Sequence, residues 1–226
     1  MRIALLGGSG RIGGWIAPRL ATAHEVTIID RMGPVVVEAT DRQGLAEVLE
    51  NHDALVHLCA RVPRGDEATD PRVVGEAWAV NVGSVAQAML ACADAGVARF
   101  LHMSSLSVFA YAGVRRLGAD EAPDSLHPYG LSKRMAEATA AELAPVLGIA
   151  AVSIRIGWPT PDATAPLWLN PSTGQPEQVR LADGSAVPAI AGSDVARWIA
   201  TELAGHREPG HRIVNLVADE SAVFAR

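Results

Sequence analysis

Cysteine is scarce in this chain: only Cys59 and Cys92 occur among 226 residues. Cys59 closes an apolar run and Cys92 lies in an alanine-rich stretch, so both read as small buried apolar residues. Two isolated thiols exclude a disulfide framework and a cysteine-based metal site. Long hydrophobic runs are also missing. No segment approaches the roughly 20 apolar residues that cross a bilayer, and Met1-Arg2 leads into only four apolar residues before glycines intervene. The start therefore does not read as a secretory leader, and a cytoplasmic location is expected. Basic residues are outnumbered, with 19 Lys and Arg against 25 Asp and Glu and a formal charge of −6. That balance argues against a nucleic-acid or membrane partner and for a small-molecule one. The histidines do not group either. His24, His52, His127, His206 and His211 show no metal-ligand spacing, His57 and His102 sit in strand patterns, and no metal is expected.

What the chain does have is apolar material, 49% of its residues, enough for a sizeable core. Ile3-Ala4-Leu5-Leu6 is a short, wholly apolar run of the kind found in parallel strands covered on both faces. Val26–Ile29, Val35–Val37, Ala54–Leu58, Phe100–Met103 and Ala151–Arg155 are further strands. Helical stretches are predicted between them at about 11–23, through Leu45 and Leu49, at 73–95 and at 129–147. The alternation predicts an α/β protein: a Rossmann-type doubly wound parallel sheet with helices on both faces. After residue 157 the texture changes. Pro159, Pro161, Pro166, Pro171, Pro176 and Pro188 forbid long helices and central strands over 158–188. A long loop of this kind suggests a lid, with a helix at about 193–204 and a strand at 212–217 closing the chain. Residues 1–157 are thus read as a dinucleotide-binding part, and 158–226 as a short substrate-capping region, together one globular unit.

Gly7, Gly10 and Gly13 form G-x-x-G-x-x-G directly after a strand and at the start of a helix. Glycine lets the backbone turn tightly and approach a pyrophosphate, and the helix N-terminus offers free N–H groups to it. A glycine motif alone is weak. Here strand, turn, helix, second strand and terminal acid follow in order. The acid, Asp30, suits ribose hydroxyls and repels a 2′-phosphate, which favours NAD. The adjacent Arg31 leaves NADP open, and an exposed Asp-Arg pair at a strand end is the plain alternative.

Tyr129 and Lys133 stand one helical turn apart on one face. A cation beside a phenol lowers its pKa and makes it accessible as a general base. Such a tetrad is common by chance. Ser104 and Ser105 follow the fifth strand, where ligands of open parallel sheets bind, although capping serines would look the same. Glu121 and Asp124 read as parts of a solvated loop.

Taken together, these residues resemble the extended short-chain dehydrogenase/reductase superfamily, in particular its NAD-dependent epimerase/dehydratase family. The resemblance runs from Gly7-x-x-Gly10-x-x-Gly13 through Asp30, His57-Leu58-Cys59-Ala60, Asn81-Val82, Ser104 to Phe109, and Tyr129-x-x-x-Lys133. It continues into Arg155-Ile156-Gly157 and Ser193-Asp194-Val195-Ala196, and so covers about 1–217. It implies Tyr129 as catalytic acid/base, Ser105 as orienter of the substrate oxygen, and Lys133 as holder of the nicotinamide ribose that lowers the tyrosine pKa. Asn81 would support the water and helix geometry. The cofactor would meet Gly7, Ser9, Gly10, Arg11, Ile12, Gly13, Asp30, Arg31, Glu38, Ala39, Leu58, Cys59, Ala60, Asn81, Met103, Tyr129, Lys133 and Ile156. The substrate would meet Arg61, Ser105, Leu106, Tyr129, Gly157 and Trp158.

The chain departs from the family pattern in places. Glu38-Ala39-Thr40-Asp41 stands for Asp-x-x-Asp, Phe109 for a tyrosine, and Ser84 for a glycine. Its length leaves little room for the larger cap that nucleotide sugars need. Tyr129 to Lys133, Val152 to Gly157 and His211 to Val214 look most like the small uronate dehydrogenases. Trp158-Pro159 and the lack of arginine between Arg155 and Arg180 depart from their carboxylate site. The resemblance implies an NAD(P)-dependent oxidoreductase acting on a hydroxyl or carbonyl of a small sugar or sugar acid, as a homodimer. An epimerase with tightly held NAD and a non-catalytic dinucleotide sensor are the alternatives. Leu106-Ser107 offers no acid pair beside the serine, against a dehydratase.

Overall fold

Seven strands hydrogen-bond into one parallel sheet in the computed structural model, which describes residues 1–118, 120–205 and 208–225. His206 lies outside the described residues. In chain order the strands are β1 (Arg2–Leu6), β2 (Glu25–Asp30), β3 (Val35–Val36), β4 (Ala54–His57), β5 (Arg99–Ser105), β6 (Ala150–Ile156) and β7 (Gly210–Leu216). Their order across the sheet is β7-β6-β5-β4-β1-β2-β3. The chain winds outward from β1 to β3, then returns to β4 and winds the other way. Loops leaving β1 and β4 therefore diverge, and a crevice opens between them at the carboxyl edge.

The wholly apolar runs are explained by what covers the two faces. Ile3, Leu5, Val56, Met103 and Ile154 pack under α1 (Arg11–Leu20) and the later helix Gly192–Ala204. Ala4, Leu6, Leu55, Phe100 and Ala151, from the same strands, face α2 (Arg42–Leu49) and the helices that follow β4 and β5. Each fully buried Leu or Ile contributes about 1.5–3 kcal/mol. Successive strand residues point to opposite faces, so both sets must be apolar. Asp41 caps α2 by accepting from Gly44 N–H at 3.0 Å.

The long helix expected over 73–95 forms with a break in it. α3 (Pro71–Trp78) passes through a π-helical turn, Ala79–Gly83, into α4 (Ser84–Asp94). Asp70 caps its start and Pro71 occupies the first turn, where a missing N–H is harmless. α5 (Pro128–Leu147) crosses α4 on alanines, Ala88, Ala136, Ala140 and Ala144 all being buried. Gly148, in the left-handed region at φ +69°, ends it. The helix Gly192–Ala204 is α6, and Glu220–Val223 is α7.

The proline-rich stretch makes no element longer than two residues until α6. Pro159–Thr160 pairs with Ile190–Ala191, Trp168–Leu169 with Pro176–Glu177, and Val179–Arg180 with Ala186–Val187. A separate small core joins this stretch to the loop after β5 and to the C-terminal segment, through Leu106, Val108, Phe109, Leu117, Leu181, Val187 and Val223. Asp124 is exposed, as its loop position suggests, and Glu121 is half-buried. Glu121 pairs with Arg115 and accepts from Gly118 N–H at 2.9 Å, while Asp124 holds Ala110 N–H at 2.7 Å. No helix among the described residues is long and apolar enough to cross a membrane.

Candidate active site

A cleft of about 1310 Å³ opens over the carboxyl ends of β1, β4, β5 and β6. Its floor is the glycine turn. Gly7 has φ +81°, and a Cβ there would sit 2.8 Å from Cys59 N and Sγ. A Cβ on Gly13 would lie 2.1 Å from Gly8 O, so only glycine lets α1 approach the turn this closely. Gly10 caps α1 without any side-chain hydrogen bond, and Gly10, Arg11, Ile12 and Gly13 line the cleft. Free first-turn N–H groups facing a cleft suit a diphosphate.

Asp30, at the end of β2, is fixed beside this turn. Its carboxylate accepts from Ser9 N–H at 3.1 Å and from Arg31 N–H at 2.8 Å. Arg31 lines the cleft, while Ser9 and Asp30 form its shoulder. Glu38 and Ala39 are placed differently. Ala39 packs on the core under α2, Glu38 precedes the α2 cap, and neither lines the cleft. The turn that β3 makes into α2 takes them away from it.

On the β4 side, Leu58, Ala60 and Arg61 line the cleft. Cys59 turns inward against Gly7, where burial, with the Asp30 charge behind it, pushes its thiol up to about 12. Burial also pushes the Cys92 thiol up. Both are inert packing groups. Asn81 is fully buried in the π-helical turn. Its Oδ1 accepts from Arg61 N–H at 2.8 Å, and its Nδ2 donates to Arg61 O and Ser132 Oγ, each at 2.9 Å. One amide thus ties the loop after β4 to α5, and the π turn is what aims it. Replacing Asn81 with Ala strands the Arg61 amide and carbonyl, and should lower stability by about 2 kcal/mol. Urea unfolding checks this; an unmoved midpoint would show that Arg61 finds other partners.

β5 ends in Ser104 and Ser105, so both belong to the strand rather than following it. Ser105 Oγ accepts from Ser107 N–H at 3.1 Å and donates to Ser107 Oγ at 3.0 Å, capping a short 3₁₀ turn at Leu106–Val108. Capping and cleft lining coexist in this residue. Ser104 Oγ donates to Glu137 at 2.6 Å, and Glu137 pairs with Arg155 at 2.7 Å in a buried ion pair. Arg155 also lies over the Phe109 ring.

Tyr129, in the first turn of α5, faces the cleft, whereas Lys133 behind it is 1% exposed. The Lys133 ammonium donates to Met103 O at 2.8 Å. Burial pushes its pKa down to about 8, against the pull of Cys59 and Glu137. Burial pushes the Tyr129 phenol above its ordinary value, and the Ser105 hydroxyl and the Arg64 charge oppose it.

Met103, Leu106, Ile156, Gly157 and Trp158 form the far wall. A Cβ on Gly157 would lie 2.6 Å from Leu106 Cδ1, and Trp158 takes φ +47°, a strained backbone at the mouth of the site. Lys133, Asn81, Cys59, Ser9 and Asp30 support the cleft from behind. Arg64, Trp15, Tyr111, Asp124, His127 and Trp168 line it without having been singled out as site residues. Arg64 had a usable signal: it lies on the same post-β4 loop as Arg61. Trp15 comes from α1, Tyr111, Asp124 and His127 from the segment between β5 and α5, and Trp168 from the proline-rich stretch.

A glycine-floored crevice at the strand-order reversal, with a serine, tyrosine and lysine beside it, matches a known sequence family. The profile of the NAD dependent epimerase/dehydratase family fits residues 3–158. The chain belongs to this family. An L-arabinose 1-dehydrogenase (NAD(P)(+)) from Haloferax volcanii is 29% identical over 175 residues, which are 70% of this chain and 66% of that one. The chain thus spans just under two thirds of this relative's length. Among solved structures, a short-chain dehydrogenase/reductase superfamily protein from Agrobacterium tumefaciens with bound NAD superposes with a TM-score of 0.76 at 22% identity, covering 97% of this chain and 78% of that one. A mutated uronate dehydrogenase gives 0.74 at 18% identity, covering 99% and 77%. These two likenesses concern the fold. They bear out the doubly wound architecture read from the alternation of strands and helices.

Proposed function

We propose that the chain is an NAD-dependent oxidoreductase that interconverts a hydroxyl and a carbonyl on a small sugar or sugar acid. The observation that carries this reading is a single cleft holding the glycine turn at one end and Ser105 and Tyr129 at the other. The glycine turn and free α1 N-terminus fit a dinucleotide diphosphate, and Asp30 fits the adenosine ribose. The buried Lys133 lies where the nicotinamide ribose would come. When bound, the nicotinamide supplies the hydride acceptor, and this chemistry belongs to the cofactor. The protein's part is the proton. Tyr129 takes it from the substrate hydroxyl, or returns it to the carbonyl oxygen. Ser105 orients that oxygen, and the ion pair under Ser104 keeps the end of β5 in place. Met103 and Ile156 give the far wall an apolar surface.

The activity of the Haloferax relative supports a dehydrogenase on a small sugar. Trp158 and Trp168 offer flat apolar surfaces for a sugar ring. A panel of aldoses, sugar acids and small alcohols, followed by nicotinamide absorbance, tests the reading. Net NADH formation with at least one sugar or sugar acid is expected. Isomerisation of a sugar without net NADH would mean an epimerase, and no turnover with any of them would leave a binding protein.

Asp30 tests the coenzyme side. Asp30→Ala removes a carboxylate that a 2′-phosphate would face, and leaves Arg31 beside it. The NADP:NAD ratio of kcat/KM should rise about tenfold or more. An unchanged ratio would mean that Arg31 already governs selection.

A further inference from the structure

The protein carries a formal charge of −6, yet four arginines, Arg11, Arg31, Arg61 and Arg64, line the cleft against one aspartate, Asp124. Asp124 is occupied by Ala110 N–H and Arg61 by Glu67. Glu67 also accepts from the Arg64 backbone N–H at 3.2 Å and feels the Arg64 charge, though less than its bond to Arg61. Arg11 opens α1 on one wall; Arg64 stands on the opposite wall, in the loop that Asn81 anchors. Burial, and after it the Arg64 charge, pulls the Arg11 pKa down, so the two guanidiniums are near enough to repel. A protein that holds two cations across a cleft, with no acid between them, pays for the arrangement unless a ligand supplies the negative charge. Focusing of positive potential in a cleft of an acidic protein serves the same end.

We propose that Arg11 and Arg64 form a two-sided clamp for an oxyanion, one guanidinium from each wall. The inference rests on the dinucleotide reading for one of its two sources, the cofactor diphosphate at the α1 N-terminus. The other source is an acidic group on the substrate, since the Arg64 charge also reaches Tyr129. Guanidinium suits both, because its planar fork pairs two oxygens at once, which an ammonium does not.

The test measures ligand binding by calorimetry on wild-type chain, R11Q, R64Q and R64K, with circular dichroism to verify folding. The probes are NADH, ADP, adenosine and inorganic pyrophosphate, then D-glucuronate and D-glucose with NADH saturating. Losses of about 10- to 100-fold for NADH, ADP and pyrophosphate in R64Q and R11Q, with adenosine unchanged, place the diphosphate in the clamp. Unchanged NADH affinity with loss of D-glucuronate binding, D-glucose being unaffected, places a substrate acid there. R64K should recover only part of either loss. Equal binding of every anionic probe by wild type and both glutamine variants overturns the clamp. A wild-type chain that ignores NADH overturns the dinucleotide reading instead. The clamp is then decided by pyrophosphate alone: weaker binding to R64Q sustains it, and equal binding ends it.

Discussion

Tyr129→Phe should lower turnover by two to four decades, the usual scale for losing a general acid–base group, while NADH affinity stays within about twofold. The substitution removes one hydroxyl oxygen from a ring whose packing is otherwise kept. Burial holds the phenol above its ordinary pKa, and the Ser105 hydroxyl and Arg64 charge work against that burial. Phenolate therefore becomes more available as pH rises, so wild-type oxidation rates should increase with pH through the neutral range. The Phe variant should lose this dependence along with the rate. Ser105→Ala should behave more mildly, since Ser105 orients the oxygen rather than taking its proton. Steady-state kinetics on any substrate found in the panel checks both. A Phe variant with wild-type turnover would remove Tyr129 from the mechanism.

Lys133→Met has the second largest effect, and in two directions. Turnover should collapse if, as proposed, Lys133 supplies the donor to the nicotinamide ribose. Stability should rise. The ammonium has a folded pKa of about 8, pushed down by burial from the ordinary 10.5. Below about pH 8 both folded and unfolded chains carry the charge, and the burial penalty is fully present. Between about 8 and 10.5 the unfolded chain binds more protons, so wild-type stability from this group climbs with pH. Above that window neither state is charged and the penalty is gone. Methionine has no such penalty, so the variant should be about 2 kcal/mol more stable at pH 7, after allowing for the lost bond to Met103 O. The gain should fade towards pH 10. Raised cysteine pKa values act in the opposite sense above pH 9; that of Cys92 is the same in both proteins and cancels in the difference, whereas Cys59 loses the downward pull of Lys133 in the variant. Denaturant melts of both proteins at pH 7 and pH 10 make the comparison. A variant less stable than wild type at pH 7 would show that the Met103 bond outweighs desolvation.

Much of the site is local in sequence, and for that reason readable. The glycine turn needs only its own backbone, Asp30 follows from the end of one strand, and Tyr129 and Lys133 share a helix turn. The two-faced apolar strands gave away the doubly wound sheet for the same reason. What depends on distant chain segments was not readable. The π turn at Ala79–Gly83 looks like ordinary helix by composition, and nothing near Asn81 reveals that Arg61 and Ser132 are its partners. Arg64 shares the post-β4 loop with Arg61, but its place across the cleft from Arg11 depends on how the β1 and β4 loops are set. The expected effect of Lys133 on Tyr129 followed from spacing, yet spacing carries no information about burial. Burial decides the sign of that shift here. Glu38 and Ala39 were assigned by analogy with a motif this chain has altered; neither lines the cleft, Glu38 being exposed and Ala39 half-buried against the core.

The central claim is that the glycine turn and the Tyr129 wall form one dinucleotide site. Titration of NADH into the purified chain, read by quenching of tryptophan emission, tests it most directly, because Trp15, Trp158 and Trp168 line that cleft. Saturable quenching at one NADH per chain, reversed by ADP-ribose, is the predicted result. A chain that unfolds cooperatively yet shows no saturable quenching with NADH or NADPH would contradict the account.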